Sequence, residues 1–349
     1  MGDLQAMSEK KKNKRPTIVD VARAAGVAPS TVSHALNNKG YVETATREKI
    51  LKTVRRLGYR PNPRAQGLRN GGAKTIALIS AMPLGVAGGA SKLGFLMELA
   101  AVAAEEAMRR GLALVLVPPQ PWGEAMPPLE IDGALVVEPT EDDPYMGWLE
   151  DCGLPAVALG RWPGHEESSW VDLLSAESAS LLLEHLAESG AGRIAVMLGD
   201  KARTSYLESE KVYLDFCRRK RQKPILYKLD ESGGEMSGQA CAMEMFKTHP
   251  KVDGLLALVD AFAVGAVRAA EGCGREVPRH LKVATRYDGL RAKLCRPPLT
   301  ALNLHLEQVA AMGVELLVRR LSEPDRAAVL LPDKPSLVVR ESTVGIVGK

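Results

Sequence analysis

From Lys74 onward, short apolar runs alternate with longer amphipathic stretches, and this pattern limits the fold more than any other feature. The runs span 75–80, 113–117, 133–137, 156–159, 194–198, 254–259 and 281–285. Strands that are apolar throughout are typical of parallel sheets covered on both faces by helices. The segment 74–349 is too long for one compact open sheet, so the sequence predicts two Rossmann-like α/β lobes.

The charge of the chain is divided between a basic head and an acidic body. Residues 1–73 contain 15 Lys or Arg and 5 Asp or Glu, a net charge of +10, whereas residues 74–349 carry −6. This asymmetry is expected where one end of a chain binds a polyanion. The alternative, a basic surface that is merely solvated, explains a net charge of +10 poorly. The lysine-rich first 15 residues predict a disordered basic arm.

Three short helices are predicted after this arm. Thr17 and Asp20 have the spacing of a capping box, and Gly26 supplies the turn that ends the first helix. Pro29 stands where the first turn of a second helix tolerates proline. A third helix is expected to end at Gly58.

The second helix carries short polar side chains on its outward face: Ser30, Thr31, Ser33, His34 and Asn37. Side chains of this kind fit the major groove and reach base edges or phosphates. A helical hairpin inside a larger core would not explain such a polar face within so basic a segment. The pattern therefore predicts an all-α helix-turn-helix head that binds double-stranded DNA.

Five short motifs follow the head along the chain. They are Arg60-Pro61-Asn62, Ile131-Asp132-Gly133, Arg193-Ile194-Ala195, Pro297-Pro298-Leu299-Thr300 and Arg340-Glu341-Ser342-Thr343. With the head they cover roughly residues 16–343, and in this order the chain resembles the lactose/galactose repressor family of bacterial transcription regulators. The resemblance implies a homodimer with a two-lobed, periplasmic-binding-protein-like core and a small-molecule effector between the lobes.

Taken with this resemblance, the sequence predicts four segments. They are the basic arm at 1–15, a helix-turn-helix domain at 16–60, a hinge helix and linker at 61–73, and an effector-binding and dimerisation core at 74–349. The N-lobe of the core is expected at 74–173 and 303–331, and the C-lobe at 174–302 and 332–349.

The resemblance also implies which residues contact DNA. Bases would be read by Pro29, Ser30 and His34, and phosphates would be held by Thr17, Thr31, Ser33 and Asn37. In the hinge, the matching residues are Ala65 at a helix–helix contact, Leu68 as the wedge between base pairs and Arg69 in the minor groove. His34 stands where Arg is common, so the preferred base at that step is expected to differ.

Effector contacts are implied for eight positions of the core: Met82, Arg161, Asp172, Arg203, Ser205, Ser209, Asp260 and Asp288. Carboxylates at strand ends suit ligands that bear hydroxyl groups, although a surface salt bridge is the alternative for each of them. Ser209 replaces an Arg of many sugar-responsive members, and Val259 stands where Asn is frequent, which together count against a simple sugar as the effector. Arg286 replaces the glycine of the family's usual strand end.

The predicted function is that of a sequence-specific DNA-binding transcription regulator, a repressor whose operator affinity is altered by the effector. Control by a protein partner or by an atypical non-sugar ligand is the alternative. No enzyme, cofactor or metal site is predicted, because the six histidines lack metal-ligand spacing and Gly85-x-x-Gly88-Gly89 lacks the Lys-Ser/Thr of a phosphate loop.

Compartment and assembly are predicted from smaller features. The five cysteines are widely spaced without a C-x-x-C pair, and the first residues lack a secretory signal, so a cytoplasmic protein without membrane contact is expected. The missing signal and the basic head also disfavour a transport receptor, which the core alone would suggest. Without leucine heptads, a dimer is favoured over a coiled-coil tetramer.

Overall fold

The computed structural model describes residues 17–37, 42–57, 73–80, 82–83, 86, 94–117, 129–323 and 326–344. The chain divides into two compact units, residues 1–65 and 66–349. The basic arm and most of the predicted hinge, including Ala65, Leu68 and Arg69, lie outside the described residues.

The first unit contains three helices: α1 (Ile18–Ala25), α2 (Pro29–Asn37) and α3 (Thr44–Leu57). The predicted capping box is confirmed at the start of α1, where Asp20 N–H donates to the Thr17 hydroxyl and Thr17 N–H donates to the Asp20 carboxylate. Gly26 ends α1 in the left-handed region at φ 68°, a conformation that glycine adopts without steric cost. Val21, Val32 and Ile50 are fully buried between the three helices.

The second unit is built of alternating strands and helices. In chain order these are β1 (Thr75–Ser80), α4 (Phe95–Arg109), β2 (Ala113–Val117), β3 (Gly133–Val137), α5 (Pro144–Cys152), β4 (Ala156–Leu159), β5 (Trp170–Val171), α6 (Ser175–Glu188), β6 (Ile194–Gly199), α7 (Thr204–Lys220), β7 (Leu226–Leu229), α8 (Gly234–Thr248), β8 (Gly254–Ala257), α9 (Asp260–Gly272), β9 (Lys282–Tyr287), α10 (Leu290–Leu294), β10 (Thr300–Asn303), α11 (Leu306–Ser322), β11 (Val329–Leu330) and β12 (Ser336–Val338).

The described strands form two six-stranded sheets. Their strand orders are β11-β5-β4-β3-β1-β2 and β12-β10-β9-β8-β6-β7. Every pairing is parallel except the one between β10 and β12, and β1, β3 and β6 are buried along almost their whole length. The predicted architecture of parallel sheets with continuously apolar strands is therefore confirmed.

Each sheet and the helices packed on it form one lobe. Lobe 1 is the sheet of β1–β5 and β11 with α4, α5 and α11, and lobe 2 is the sheet of β6–β10 and β12 with α6–α10. The chain passes between the lobes after β5, after β10 and after β11. No helix in the described ranges is both long and apolar enough to cross a bilayer.

Helices α8 and α9 of lobe 2 pack against each other in backbone contact. A Cβ on Gly238 would lie 2.4 Å from the carbonyl oxygen of Phe262, and one on Gly265 would lie 2.1 Å from that of Glu235. Such distances are far below van der Waals contact, so only glycine fits at these two positions. This close packing fixes α9, whose first residue is Asp260, against α8, and α9 also packs on β8 and β9.

Candidate functional site

The DNA-binding face predicted for the first unit lies on α2. Pro29, Ser30 and His34 are exposed and Thr31 and Ser33 are half-buried, whereas Val32 and Ala35 on the other side of the helix are buried. Burial of the apolar side fixes the helix on its core and leaves one polar side turned outward. Asn37 is the last residue of α2.

The other two helices of the unit also carry exposed basic side chains. Arg23, Lys49, Lys52, Arg55 and Arg56 are all exposed. Cations in such positions can neutralise phosphates without reading sequence, whereas hydroxyl and imidazole groups can also reach base edges. The first unit thus combines both kinds of contact that a DNA-binding module needs.

The cleft of the second unit lies where the carboxyl ends of the parallel strands of the two lobes meet. Glu138 directly follows β3 of lobe 1, Arg286 lies near the end of β9 of lobe 2, and Ser205 lies in the first turn of α7. Ligands of open α/β sheets bind outside the carboxyl ends of the strands. These three residues therefore occupy the region in which a ligand of this fold would bind.

Three groups of lobe 2 bind the single residue Glu138 of lobe 1. Arg286 Nη1 donates to one carboxylate oxygen at 3.1 Å, and Ser205 Oγ donates to the other at 2.6 Å. Arg203 Nη1 donates to the backbone carbonyl of Glu138. Glu138 is also left-handed, at φ 48°, which is uncommon for a residue other than glycine. Its side chain thereby fastens the two lobes together.

Beneath this contact lies a buried ion pair within lobe 2. Arg203 is 1% exposed and binds Glu231 bidentately, with two N–H···O distances of 3.0 Å. Burial alone would lower the pKa of Arg203, but the hydrogen bond and the charge of Glu231 outweigh it and raise the pKa further above its ordinary value. Tyr206 donates to the same carboxylate at 2.7 Å, and burial raises its pKa well above the usual range. This pair positions the start of α7.

A small cavity of about 40 Å³ remains between the lobes beside Glu138. Most of its lining is apolar, with Met82, Phe95 and Tyr287 among the contributors. The Phe95 and Tyr287 rings meet edge to face across the lobes with centroids 5.4 Å apart. The volume holds a few water molecules, far less than the several hundred Å³ of a typical ligand pocket.

Asp260 is the acidic residue at the other end of this cavity. It is buried, and Arg291 donates to its carboxylate at 2.8 Å. Burial raises the pKa of Asp260, and the opposite charge of Arg291 counteracts the shift only in part. A carboxylate held in this way can accept a hydrogen bond from a hydroxyl group of a ligand.

A second cavity, of about 10 Å³, is also lined by Glu138 and by three of the predicted effector residues: Arg161, Asp172 and Ser205. Arg161 is paired with Asp172 at 3.2 Å and with Glu208 at 3.6 Å. Thr204 donates to the Arg161 carbonyl across the lobes at 2.9 Å.

Three predicted effector residues, Arg203, Ser209 and Asp288, line neither of these two cavities. Ser209 is buried one turn beyond Ser205 in α7, and its hydroxyl has no hydrogen-bond partner within the described part of the chain. Asp288 lines a separate cavity of about 370 Å³ and pairs with Arg340 at 2.6 Å and Lys293 at 3.6 Å. The structure therefore groups Met82 with Asp260, and Arg161 with Asp172 and Ser205, but separates Asp288 from them.

Sequence reasoning missed the most buried charges of the cleft. Glu138 follows the apolar run 133–137 at once, so its position at the end of a predicted strand could have identified it. Arg286 was noted only as a replacement for glycine, and Glu231 carries no local signal, because its partner Arg203 is 28 residues away.

Two family models match the chain. Residues 17–62 match the model of bacterial regulatory proteins of the lacI family, and residues 183–343 match a periplasmic binding protein-like domain. The first match covers the helical unit, and the second covers most of lobe 2 together with α11 and β11 of lobe 1.

Among curated proteins, the chain is 29% identical to the HTH-type transcriptional regulator CelR of Thermobifida fusca, over 95% of this chain and 99% of that protein. It is 29% identical to the ribose operon repressor of Halalkalibacterium halodurans, over 94% and 97%. It is 25% identical to the repressor PurR of Pasteurella multocida, over 93% and 98%.

Solved structures of transcription regulators are also similar to this chain over nearly its whole length. A complex of the transcriptional regulator CelR with cellobiose aligns with a TM-score of 0.69 and 26% identity, covering 94% of this chain and all of that one. The lac repressor dimer bound to operator and the anti-inducer ONPF aligns with a TM-score of 0.64 and 24% identity, over 95% of this chain and all of that one, and supports the fold alone.

The helix-turn-helix unit and the two-lobed core define a DNA-binding transcription regulator with a periplasmic-binding-protein-like domain. The chain contains a helix-turn-helix domain of the lacI family of bacterial regulatory proteins and a periplasmic-binding-protein-like domain, and it is similar over nearly its whole length to lacI-family regulators. The resemblance stated from the sequence motifs is thereby confirmed.

Proposed function

We propose that this regulator is a cytoplasmic, homodimeric repressor that binds a near-palindromic operator and changes its operator affinity when a small molecule occupies the cleft between the lobes. The observation that carries the proposal is the combination in one chain of an exposed polar α2 face in a basic unit with a charged cleft between two lobes. Two copies of the head, related by two-fold symmetry, would read two half-sites.

The relatives support the DNA-binding part of this proposal. The curated relatives include proteins described as operon or transcriptional repressors, and one solved relative is described as a dimer bound to operator. In the present chain, Pro29, Ser30 and His34 would contact bases, and Thr17, Thr31, Ser33 and Asn37 would contact phosphates. Ala65, Leu68 and Arg69, outside the described residues, stay the predicted hinge contacts.

The effector part rests on the position of the cleft. The CelR structure is described as a complex with cellobiose, so a relative of the same architecture binds a small molecule. Met82, Arg161, Asp172, Ser205 and Asp260 line the two small cavities of the cleft. A ligand that binds one arrangement of the lobes better than the other will shift operator affinity, and operator will shift ligand affinity by the same factor.

Site selection from random DNA followed by gel shifts tests the function. We expect an enriched near-palindrome, tight binding to it, and a log–log salt slope of about −0.9 for each phosphate neutralised. Random DNA of equal length is the control. Equal affinity for both duplexes, or selection of no common sequence, would contradict the proposal.

A further inference from the structure

The carboxylate of Glu138 makes a buried polar contact between the two lobes. Both of its oxygens accept hydrogen bonds, one from Arg286 and one from Ser205, and both donors belong to lobe 2. Glu138 itself belongs to lobe 1, and its side chain is almost fully buried. Lobe 2 therefore contains a group of donors, buried between the lobes, that holds a carboxylate supplied by the other lobe.

Arg286 differs from the neighbouring arginines in its dependence on Glu138. Arg203 is paired with Glu231 within lobe 2, and Arg161 is paired with Asp172 within lobe 1. Within the described ranges, the only carboxylate at ion-pair distance from Arg286 is Glu138, and the buried Nε of Arg286 has no hydrogen-bond partner. If the lobes separated, Arg286 would lose this carboxylate, and its guanidinium would be open to water and to an anionic ligand.

Glu138 lines both cavities of the cleft. It lines the apolar cavity with Met82 and Asp260, and it lines the small polar cavity with Arg161 and Asp172. A molecule that replaced this side chain on Arg286 would have access to both cavities.

We propose that Arg286 and Ser205 form a binding site for the carboxylate group of a small-molecule ligand, and that Glu138 occupies this site as a tethered competitor. The inference rests on the proposed function, because the acidic ligand would be the effector of the cleft. Arg286 donates a charge-assisted hydrogen bond to one oxygen of the carboxylate and Ser205 donates to the other, so both acceptor atoms of a carboxylate are bound at this site. Since ligand and Glu138 exclude each other, this ligand stabilises separated lobes.

A glycine variant tests the site without knowledge of the natural ligand. Replacing Glu138 by glycine removes the atoms of a propionate ion, and glycine tolerates the left-handed backbone at this position. The melting temperature of the full chain is measured with increasing sodium propionate. Propionamide, which has the same shape without charge, and sodium chloride at equal ionic strength are the controls.

We expect propionate to raise the melting temperature of Glu138→Gly by at least about 3 °C, because a ligand that binds only the folded state stabilises it. Propionamide and sodium chloride should not do so. The wild type should respond much less, because its tethered carboxylate competes at an effective concentration on the order of millimolar. The double variant Glu138→Gly, Arg286→Met should not respond.

A propionate response that persists without Arg286, or an equal response to propionamide, would overturn the proposal. So would no response of Glu138→Gly to propionate. If Glu138→Gly does not fold, Glu138→Ala with acetate, which is one carbon shorter, is judged by the same criteria. None of these measurements involves DNA. A negative result would therefore overturn the carboxylate site without bearing on operator binding, and the two proposals can fail separately.

Discussion

Arg286, the second-to-last residue of β9, donates a 3.1 Å hydrogen bond to Glu138, which follows β3 in the other lobe. The two residues are 148 positions apart in sequence and both are almost fully buried. Because each lies at the carboxyl end of a central strand, the ion pair forms only while the lobes are together. The cleft of this regulator therefore contains a contact that links lobe position to a single pair of charges.

Loss of the Arg203 side chain is expected to destabilise lobe 2 strongly. Arg203→Met leaves Glu231 buried without its partner, and breaking a buried pair from one side costs about 3–5 kcal/mol. Urea unfolding of the full chain measures the change. Arg219→Met, in an exposed pair with Glu184, is the matched control and should cost no more than about 1 kcal/mol. Equal effects of the two substitutions would show that burial of Arg203 has no energetic consequence.

Alanine at Gly265 is expected to disrupt the contact between α8 and α9. Its Cβ would lie 2.1 Å from the Glu235 carbonyl oxygen, so the helices must move apart at a cost of about 1–3 kcal/mol or more. Gly272, at the end of the same helix, has open space around its Cβ. Gly272→Ala should therefore leave the free energy of unfolding unchanged or raise it by up to about 1 kcal/mol. A similar loss in both variants, measured by thermal unfolding, would rule out the close-packing explanation.

The stability of the core is expected to fall as the pH drops below about 6.5. Burial lowers the pKa of His185, and its Nε2 lies 2.8 Å from the Thr343 hydroxyl. The unfolded chain therefore binds a proton at His185 at a pH where the folded chain does not, and proton binding favours unfolding. Denaturant midpoints at pH 7.5 and pH 5.5 should differ less in His185→Gln than in the wild type. If His185→Gln has the same pH dependence of the denaturant midpoint as the wild type, titratable groups other than His185 cause the loss of stability.

His34 and Thr31 are expected to contribute differently to operator recognition. His34 is exposed on α2 and can reach a base edge, whereas Thr31 is half-buried at the start of the helix. Replacing His34 by Ala should change which base is preferred at one step, and replacing Thr31 by Ala should weaken binding to all sites alike. Binding-site selection with each variant distinguishes the two effects, and the opposite assignment would show that the roles are exchanged.

The sequence predicted the elements of this fold well because their signals are local. The apolar run 75–80 coincides with β1, and the Thr17–Asp20 spacing forms the capping box that was expected. The charges of the cleft are different, because Glu138 and Arg203 each depend on a partner in another element. Asp288 is a further example. Its position at a strand end predicted an effector contact in the cleft, but its ion pair with Arg340 could be recognised only from the structure.

The central claim is that the state of the cleft sets the affinity of the head for operator. The most direct measurement compares operator binding of the wild type with that of Glu138→Gln and Arg286→Met, whose heads are identical. Lys228→Ala, which breaks an exposed ion pair of lobe 2, is the control. Both cleft variants should change operator affinity in the same direction by at least about fivefold, with binding to random DNA unchanged. Wild-type operator affinity in both variants would contradict the account.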